Sequence, residues 1–209
     1  MRNILKPVLG VTALALAFAA APAAADPESA PTQPVELRAD DVFYGSADAP
    51  VTIVEYASLT CPHCANFHAT VLPALKDGAI AEGKARLVFR DFPLDGLALR
   101  ASALARCGGP DRRLAILDLL FESQGSWARS GDPLGALARV GKLAGLKEEA
   151  AKACMEDKGM LDRIVAELQE GDTKHGVRST PSFIIGDRIY RGDMSVEDIN
   201  ELIDAAAAG

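Results

Sequence analysis

The chain carries little of the positive charge that an acidic partner would need. Its 209 residues include 29 Asp and Glu against 22 Lys and Arg, a formal net charge of −7 at pH 7. Aromatic residues make up only 5% of the chain, and no segment interleaves them with basic side chains. Proteins that bind nucleic acid or anionic membranes gather Lys and Arg into a patch or stripe. The composition therefore argues against both kinds of partner.

Long apolar runs are also scarce. The one candidate, residues 8–21, follows the basic segment 1–6 and precedes the small residues Ala23, Ala24 and Ala25. It is shorter than the roughly 20 residues that a membrane-spanning helix needs. A membrane anchor is the alternative, but a basic start, a short apolar core and a small-residue end are typical of a secretory signal peptide. We therefore predict cleavage after about Ala25, export to the periplasm and a soluble mature protein.

Cysteine is equally sparse, since the chain has four, all after the predicted signal peptide. An even number in an oxidising compartment suggests disulfides. Three sets of pairings exist for four cysteines; the short spacing favours Cys61–Cys64, which leaves Cys107 with Cys154. We expect a Cys107–Cys154 bond to be structural and, by chain entropy, worth about 4 kcal/mol. Two separate buried thiols are the alternative.

The sequence lacks the further ligands that a metal or haem would require. A zinc site of this type needs a second closely spaced pair of Cys or His, but Cys107 and Cys154 stand far apart and His68 and His175 form no such pair. A c-type haem needs a histidine directly after the second cysteine, where this chain has Ala65. We therefore predict no metal and no organic cofactor. We expect His68 and His175 to be surface or packing residues.

The most informative segment that the chain does contain is 58–64, Ser-Leu-Thr-Cys-Pro-His-Cys. The preceding residues 51–56 are rich in β-branched side chains and predict a buried strand. Apolar residues then recur at helical spacing, at Phe67, Val71, Leu72 and Leu75. Cys61 therefore falls at the start of a helix, with Pro62 at the first helical position.

A thiolate at a helix N-terminus faces unpaired backbone N–H groups and the positive end of the helix dipole. Both lower the pKa of Cys61 and make it reactive at neutral pH. Cys64 lies one turn further on and can close a small disulfide with Cys61. The pattern indicates thiol–disulfide exchange, with Cys61 as the nucleophile and Cys64 as the resolving thiol. A purely structural disulfide is the alternative.

The remaining elements divide the chain into five parts. After the signal peptide, 1–25, we predict a lead-in, 26–49, with an edge strand at 35–38. A first sheet half, 50–96, ends after a strand at 86–90. The block 97–172 is helical throughout, and its last helix stops near Gly171. The second sheet half, 173–209, has strands at 180–185 and 188–190, joined by the hairpin signal Gly186-Asp187, and then a helix.

This organisation resembles the DsbA family, exported disulfide oxidoreductases built on the thioredoxin fold. The resemblance rests on the sequence of residues 61–64, on Glu55 six positions before Cys61, on residues 179–181 (Ser-Thr-Pro) before the hairpin, and on the helical block. It covers nearly all of the chain after the signal peptide. It implies an α/β fold, namely a thioredoxin fold with an inserted all-helical domain.

The resemblance also implies roles for residues around the cysteines. It implies a cis Thr180–Pro181 bond facing the disulfide, where the Thr180 backbone pairs with substrate; a trans proline at an edge strand is the alternative. His63 is expected to stabilise the Cys61 thiolate, which makes the disulfide a stronger oxidant. Glu55 is an acid that can move protons if it is buried. The alternative is a glutamate that reaches solvent.

The sequence thus predicts a periplasmic dithiol oxidase. A substrate thiolate forms a mixed disulfide with Cys61, and a second substrate thiol resolves it. The resemblance implies unfolded exported proteins as substrates and a DsbB-type membrane partner as reoxidant. The lead-in is too short for a dimerisation domain, so we expect a monomer. Two alternatives stay open: a reductase or isomerase of the same fold, and a chaperone-like binding module whose cysteine pair is incidental.

Overall fold

The computed structural model describes residues 28–208 of the chain. The signal peptide predicted over residues 1–25 lies outside the described residues. Within 28–208, none of the helices is both long enough and apolar enough to cross a membrane.

A six-stranded mixed sheet forms the centre of the molecule. The strands follow the order β1-β6-β5-β3-β4-β2 across the sheet; β3 and β4 run parallel, and every other neighbouring pair is antiparallel. Their bounds are β1 Glu28–Pro31, β2 Val42–Tyr44, β3 Val51–Ala57, β4 Ala85–Asp91, β5 Ser182–Ile185 and β6 Arg188–Arg191.

The two parallel strands, β3 and β4, are nearly continuous runs of buried residues. Such runs are typical of strands covered on both faces, and β-branched residues such as Val51, Ile53 and Val54 suit the pleated surface. The register places Glu55 of β3 between Phe89 of β4 and Phe183 of β5. A carboxyl group therefore lies between two phenylalanines in the middle of the sheet.

The first helical segment, residues 62–80, begins within the cysteine motif, at Pro62. It consists of α1 Pro62–Asn66, a π-helical turn Phe67–Val71, α2 Leu72–Leu75 and a second π-helical turn Lys76–Ile80. Together with the C-terminal helix α9, Val196–Ala208, it packs on one face of the sheet. The other face packs against Val177 and against Leu168 from the long helix α8.

A helical block connects the two halves of the sheet. Its helices are α3 Gly96–Cys107, α4 Pro110–Glu122, α5 Gln124–Trp127, α6 Pro133–Leu143, α7 Glu148–Glu156 and α8 Lys158–His175. Asp95, Asp132 and Asp157 cap α3, α6 and α8 by accepting hydrogen bonds from backbone N–H groups. The apolar core of this block also includes Cys61 and Cys64, so the cysteine motif lies where the block meets the sheet.

A disulfide between Cys107 and Cys154 joins α3 to α7 inside the helical block. The two Cα atoms are 6.0 Å apart, within the range usual for disulfides. The bond therefore connects two helices of the block and lies outside the cysteine motif.

Two boundaries differ from the sequence-based prediction. The edge strand is Glu28–Pro31, which pairs with β6, and residues 35–38 form no strand. The prediction was wrong because backbone pairing with an available sheet edge decides here, against the weak strand propensity of Glu-Ser-Ala-Pro. Pro31 is tolerated because it stands on an edge strand.

The last helix of the block also runs further than predicted. It passes through Gly171 and ends at Gly176, which adopts a left-handed conformation with φ of 70°. Gly171 is needed inside the helix for a different reason, because a Cβ there would approach the Tyr56 ring to 2.8 Å. The boundary predicted at residue 172 therefore falls within α8.

Candidate active site

The cysteine motif occupies the junction between β3 and α1. Cys61 is the N-cap residue of α1 and has an extended backbone, while Pro62 takes the first helical position. The Cys61 N–H donates to the Ser58 carbonyl over 3.0 Å, and the Cys61 carbonyl accepts from the Ala65 N–H over 3.1 Å. These bonds fix the Cys61 sulfur at the end of the helix, as the sequence predicts.

The two sulfurs lie in different surroundings. Cys61 is 6% exposed and Cys64 is fully buried, and both are free thiols, so the structure describes the dithiol form. A hydrogen bond from the Cys64 thiol, assisted by the backbone N–H groups of Cys64 and His63, outweighs burial and lowers the pKa of Cys61 to about 5. Burial, the Cys61 thiol and the charge of Glu55 raise the pKa of Cys64 far above its ordinary value.

The Thr180–Pro181 peptide bond is cis, and Thr180 lies against Cys61. The Cys61 thiol donates to the Thr180 carbonyl over 3.3 Å. The Thr180 hydroxyl oxygen is buried and accepts or donates no hydrogen bond within the described part of the chain. The Gly192 N–H donates to the Pro181 carbonyl over 2.9 Å. This bond joins the cis-proline loop to the turn that follows β6.

The His63 side chain turns away from the sulfur. It is 67% exposed, and its Nδ1 lies 2.7 Å from Asp193 Oδ2 in the turn after β6. Within residues 28–208, its hydrogen bonding is to Asp193 and not to Cys61. The part of His63 that acts on the Cys61 pKa is therefore its backbone N–H.

Glu55 is fully buried in β3 and pairs with a histidine. Its Oε2 lies 3.0 Å from Nε2 of His68, whose side chain is 3% exposed and stacks on Phe121 with ring centroids 3.9 Å apart. The solvent-reaching alternative for Glu55 is wrong, and so is a surface position for His68. His68 stands four residues after Cys64, a helical spacing that places the two on one face and could have identified it.

Gln124 is a site residue that the sequence did not indicate. It is largely buried in the short helix α5, and its Nε2 donates to the carbonyls of Leu59 and Cys61, both over 2.9 Å. The helical block thereby holds the backbone on either side of Thr60. No local pattern could have found this residue, because its partners lie more than sixty positions away.

The described residues offer no cluster of three or more His, Cys, Asp or Glu that could hold a metal ion. His175, the other buried histidine, lies away from the cysteines against Gln33 and Tyr56. Burial lowers its pKa below the ordinary value. Of the two positions that the sequence analysis expected for His175, surface or packing, the structure shows packing.

Comparison with known proteins gives a consistent result. The thioredoxin family model matches residues 38–205. A Rickettsia bellii protein, provisionally assigned as a protein-disulfide oxidoreductase, is 32% identical over 168 residues, which cover 80% of this chain and 64% of that protein. The chain spans 60–66% of the length of the five Rickettsia relatives that it matches.

Solved structures show the same fold. Alpha-DsbA1 of Wolbachia pipientis is 30% identical and superposes with a TM-score of 0.75, covering 82% of this chain and 93% of that one. Oxidised BdbD of Bacillus subtilis is 25% identical with a TM-score of 0.72, covering 88% of this chain and all of that one.

A dithiol at a helix start, opposite a cis-proline loop and covered by a helical block, defines a class of thioredoxin-fold proteins. The chain belongs to the thioredoxin family and, within it, to the DsbA proteins. The family resemblance and the fold class, an α/β thioredoxin fold with an inserted helical block, are both confirmed.

Proposed function

We propose that the protein is a thiol:disulfide oxidoreductase that introduces disulfides into exported proteins through Cys61 and Cys64. The observation that carries this proposal is the pKa of about 5 for the Cys61 thiol beside the protonated Cys64. A stabilised thiolate stabilises the reduced form, and a protein with a stable reduced form is an oxidant.

The proposed reaction starts from the Cys61–Cys64 disulfide. A substrate thiolate attacks Sγ of Cys61, the bond to Cys64 breaks, and Cys64 leaves as a thiolate that takes up a proton. A second substrate thiolate then attacks the substrate sulfur of the mixed disulfide and displaces the Cys61 thiolate. The low pKa of Cys61 makes it a good leaving group in this last step.

The other site residues have proposed roles around these two sulfurs. Thr180 and Pro181 form the backbone against which an extended substrate pairs, because Thr180 already contacts the Cys61 sulfur. Pro62 fixes the first turn of α1 without requiring a hydrogen-bond partner. His63 contributes its backbone N–H to the thiolate, and Glu55 supplies the proton for Cys64. The Cys107–Cys154 disulfide is proposed to be structural.

The cellular setting is also a proposal. The basic, apolar and small-residue order of residues 1–25 supports export to the periplasm. Unfolded exported proteins would be the substrates, and a DsbB-type membrane protein would restore the disulfide. We propose that the protein works as a monomer, with the helical block, residues 96–175, between the two halves of the sheet.

The second candidate is the same exchange in the opposite direction, as a reductase or isomerase. Thr180 favours it, because threonine before the cis-proline also occurs among isomerase relatives of this fold. The direction depends on the potential of the cysteine pair and on the partner that recharges it.

Disulfide transfer to a reduced, unfolded protein tests the proposal. The oxidised protein is mixed with such a substrate, and the reaction is quenched with acid and analysed by mass spectrometry. We expect one disulfide to appear in the substrate for each Cys61–Cys64 pair reduced, and none with Cys61→Ser. A Cys61→Ser protein that transfers disulfides as well as the unchanged protein would contradict it.

A further inference from the structure

Glu55 and His68 form a polar pair inside an apolar core. The pair lies between the sheet and the helical block, with Phe89 and Phe121 packed around the imidazole. One polar atom on each side chain, Glu55 Oε1 and His68 Nδ1, has no hydrogen-bond partner among the described residues. Leaving buried polar atoms unpaired costs stability, so the pair calls for an explanation other than stability.

A cavity of about 360 Å³ adjoins this pair. It lies between the first helical segment and α4, and His68, Ala65, Ala69 and Phe121 are among its lining residues. Lys76 and Asp118 also line it, and both side chains are about two-fifths exposed. The cavity thus has a charged side that faces solvent and an apolar side that ends at the His68 ring. Its volume is large enough for several water molecules.

His68 also lies in the π-helical turn Phe67–Val71. Single π-helical turns inside α-helices are uncommon and occur frequently at functional sites. The turn presents His68 to Glu55 one helical turn beyond Cys64. The charge of Glu55 in turn acts on the Cys64 thiol. Glu55 therefore contacts His68, which lines the cavity, and lies within electrostatic range of Cys64.

We propose that His68 is a positioning residue that relays protons between water in the cavity and Glu55, and that Glu55 exchanges them with Cys64. The inference rests on the proposed function and adds the route of its proton. In the described conformation Nδ1 of His68 is covered, so the relay uses water that enters when the side chains lining the cavity shift. Imidazole suits this task because its two nitrogens can take up and release a proton on opposite sides.

In the first step one proton moves to the Cys64 sulfur. The substrate sulfur forms a bond to Cys61 Sγ, the Cys61–Cys64 bond breaks, and its electron pair stays on the Cys64 sulfur. Glu55 gives its proton to that sulfur and becomes a carboxylate. Before this step His68 passes a proton from water in the cavity to Glu55, so that Glu55 ends as the carboxylate whose charge acts on Cys64 in the dithiol form. No external oxidant or reductant enters this exchange beyond the substrate thiol.

Other charged groups near the pair are held by one another. Lys76, on the second π-helical turn, lies 3.5 Å from Asp118 of α4. The Tyr44 hydroxyl of β2 donates to the other oxygen of Asp118 over 2.6 Å. Glu122 of α4 lines the same cavity. Within the described chain, the titratable contact that Glu55 makes directly is the one with His68.

The test measures the rate at which dithiothreitol opens the Cys61–Cys64 disulfide as a function of pH. At each pH this rate is divided by the concentration of dithiothreitol thiolate. General acid catalysis through the relay makes this rate high at acid pH, and the rate falls as pH rises. In His68→Gln the fall disappears, and the rate at pH 6 drops by a factor on the order of ten to a hundred, the low end for a positioned acid. Glu55→Gln behaves alike, and the double variant loses no more.

His175→Gln is the matched control, because it removes another buried histidine, one that contacts Gln33 and Tyr56. It should leave the pH profile unchanged. A His68→Gln profile identical to that of the unchanged protein would overturn the relay, as would additive losses in the double variant. The pKa of Cys61 should stay near 5 in His68→Gln, since His68 is not among the groups that lower it.

Ala69→Leu provides an independent test that removes no titratable group. Ala69 is exposed and lines the cavity, so leucine would fill part of the water space while His68 and Glu55 remain. We expect the disulfide to open more slowly at pH 6, and an unchanged rate would overturn the proposed route. This variant decides the question if His68→Gln does not fold.

An unmodified protein that reacts no faster than a simple disulfide would refute the proposed function itself. A fast but pH-independent rate would refute the relay alone.

Discussion

At the scale of single residues, the two thiols differ because of what surrounds each sulfur. Cys61 lies at the helix end and receives hydrogen bonds from Cys64 and from backbone N–H groups, which favour its thiolate. Cys64 lies one turn deeper, where burial and the charge of Glu55 favour its neutral thiol. Two cysteines three positions apart thereby acquire opposite protonation preferences.

Replacing Cys64 tests the source of this asymmetry. Because the Cys64 thiol is the largest of the influences that lower the Cys61 pKa, Cys64→Ala should raise that pKa above 5. Cys64→Ser keeps a donor of similar size and should raise it less. Ultraviolet absorbance of the thiolate, titrated against pH, measures both. Equal pKa values in the alanine variant and the unchanged protein would show that the helix end alone sets the reactivity.

At the scale of elements, the short helix α5 connects the helical block to the cysteine motif. Gln124 donates hydrogen bonds to the carbonyls of Leu59 and Cys61, which lie just before the first residue of α1. Without Gln124 the Leu59 carbonyl would lose this donor, and an unpaired buried carbonyl costs its desolvation free energy. The Cys61 carbonyl would keep the bond from the Ala65 N–H. The backbone that presents Cys61 therefore depends on an element far away in sequence.

A Gln124→Leu variant measures this dependence. Loss of the two hydrogen bonds should lower the free energy of unfolding by about 1–3 kcal/mol. Chemical denaturation of the dithiol form gives the value. Gln169→Leu, at an exposed position on α8, serves as the matched control and should change it by less than about 0.5 kcal/mol. A similar loss in both variants would indicate that Gln124 does not support the motif.

The sequence was informative where local chemistry decides the structure. Pro62 after Cys61 predicted the helix start, and Gly186-Asp187 predicted the hairpin between β5 and β6. It failed where distant neighbours decide. The strand Glu28–Pro31 exists because β6 offers a free edge, and α8 continues through Gly171 because Tyr56 packs against it. Gln124 likewise owes its role to contacts that no local pattern encodes.

At the scale of the whole molecule, buried ion pairs join the helical block to the sheet. Asp91, at the end of β4, pairs with Arg106 of α3 and Arg113 of α4, and Arg106 also pairs with Glu167 of α8. Burial alone would raise the pKa of Asp91, but the two guanidinium groups hold it below its ordinary value. Three elements thus meet at one buried carboxylate, and Arg106 joins α8 to them.

The Cys61 pKa also links the stability of the whole molecule to pH. The pKa is depressed from its ordinary 9.0 to about 5 in the folded dithiol form, so the thiolate stabilises the fold above pH 9 and this contribution is lost as pH falls through 5. Between these values the dithiol form should gain on the order of a few kcal/mol over the disulfide form, allowing for solvent screening. Cys64 stays protonated across this range because its pKa is raised.

Thermal or chemical unfolding of both redox forms at several pH values measures that difference. The gap in free energy between the dithiol and disulfide forms should widen steadily from pH 5 to pH 9. In Cys61→Ser, which cannot form the disulfide, the stability of the chain should lose this part of its pH dependence. A gap that stays constant with pH would mean that the Cys61 thiolate is not stabilised by the fold.

The central claim is that a stabilised Cys61 thiolate makes this protein an oxidant, and the potential of the Cys61–Cys64 pair tests it most directly. The purified protein is equilibrated with buffers of reduced and oxidised glutathione, and the reduced fraction is measured after acid quenching. We predict a value near that of a strong oxidant, about −120 mV. A value of about −180 mV or lower, in the range of isomerases and reductases, would contradict the account.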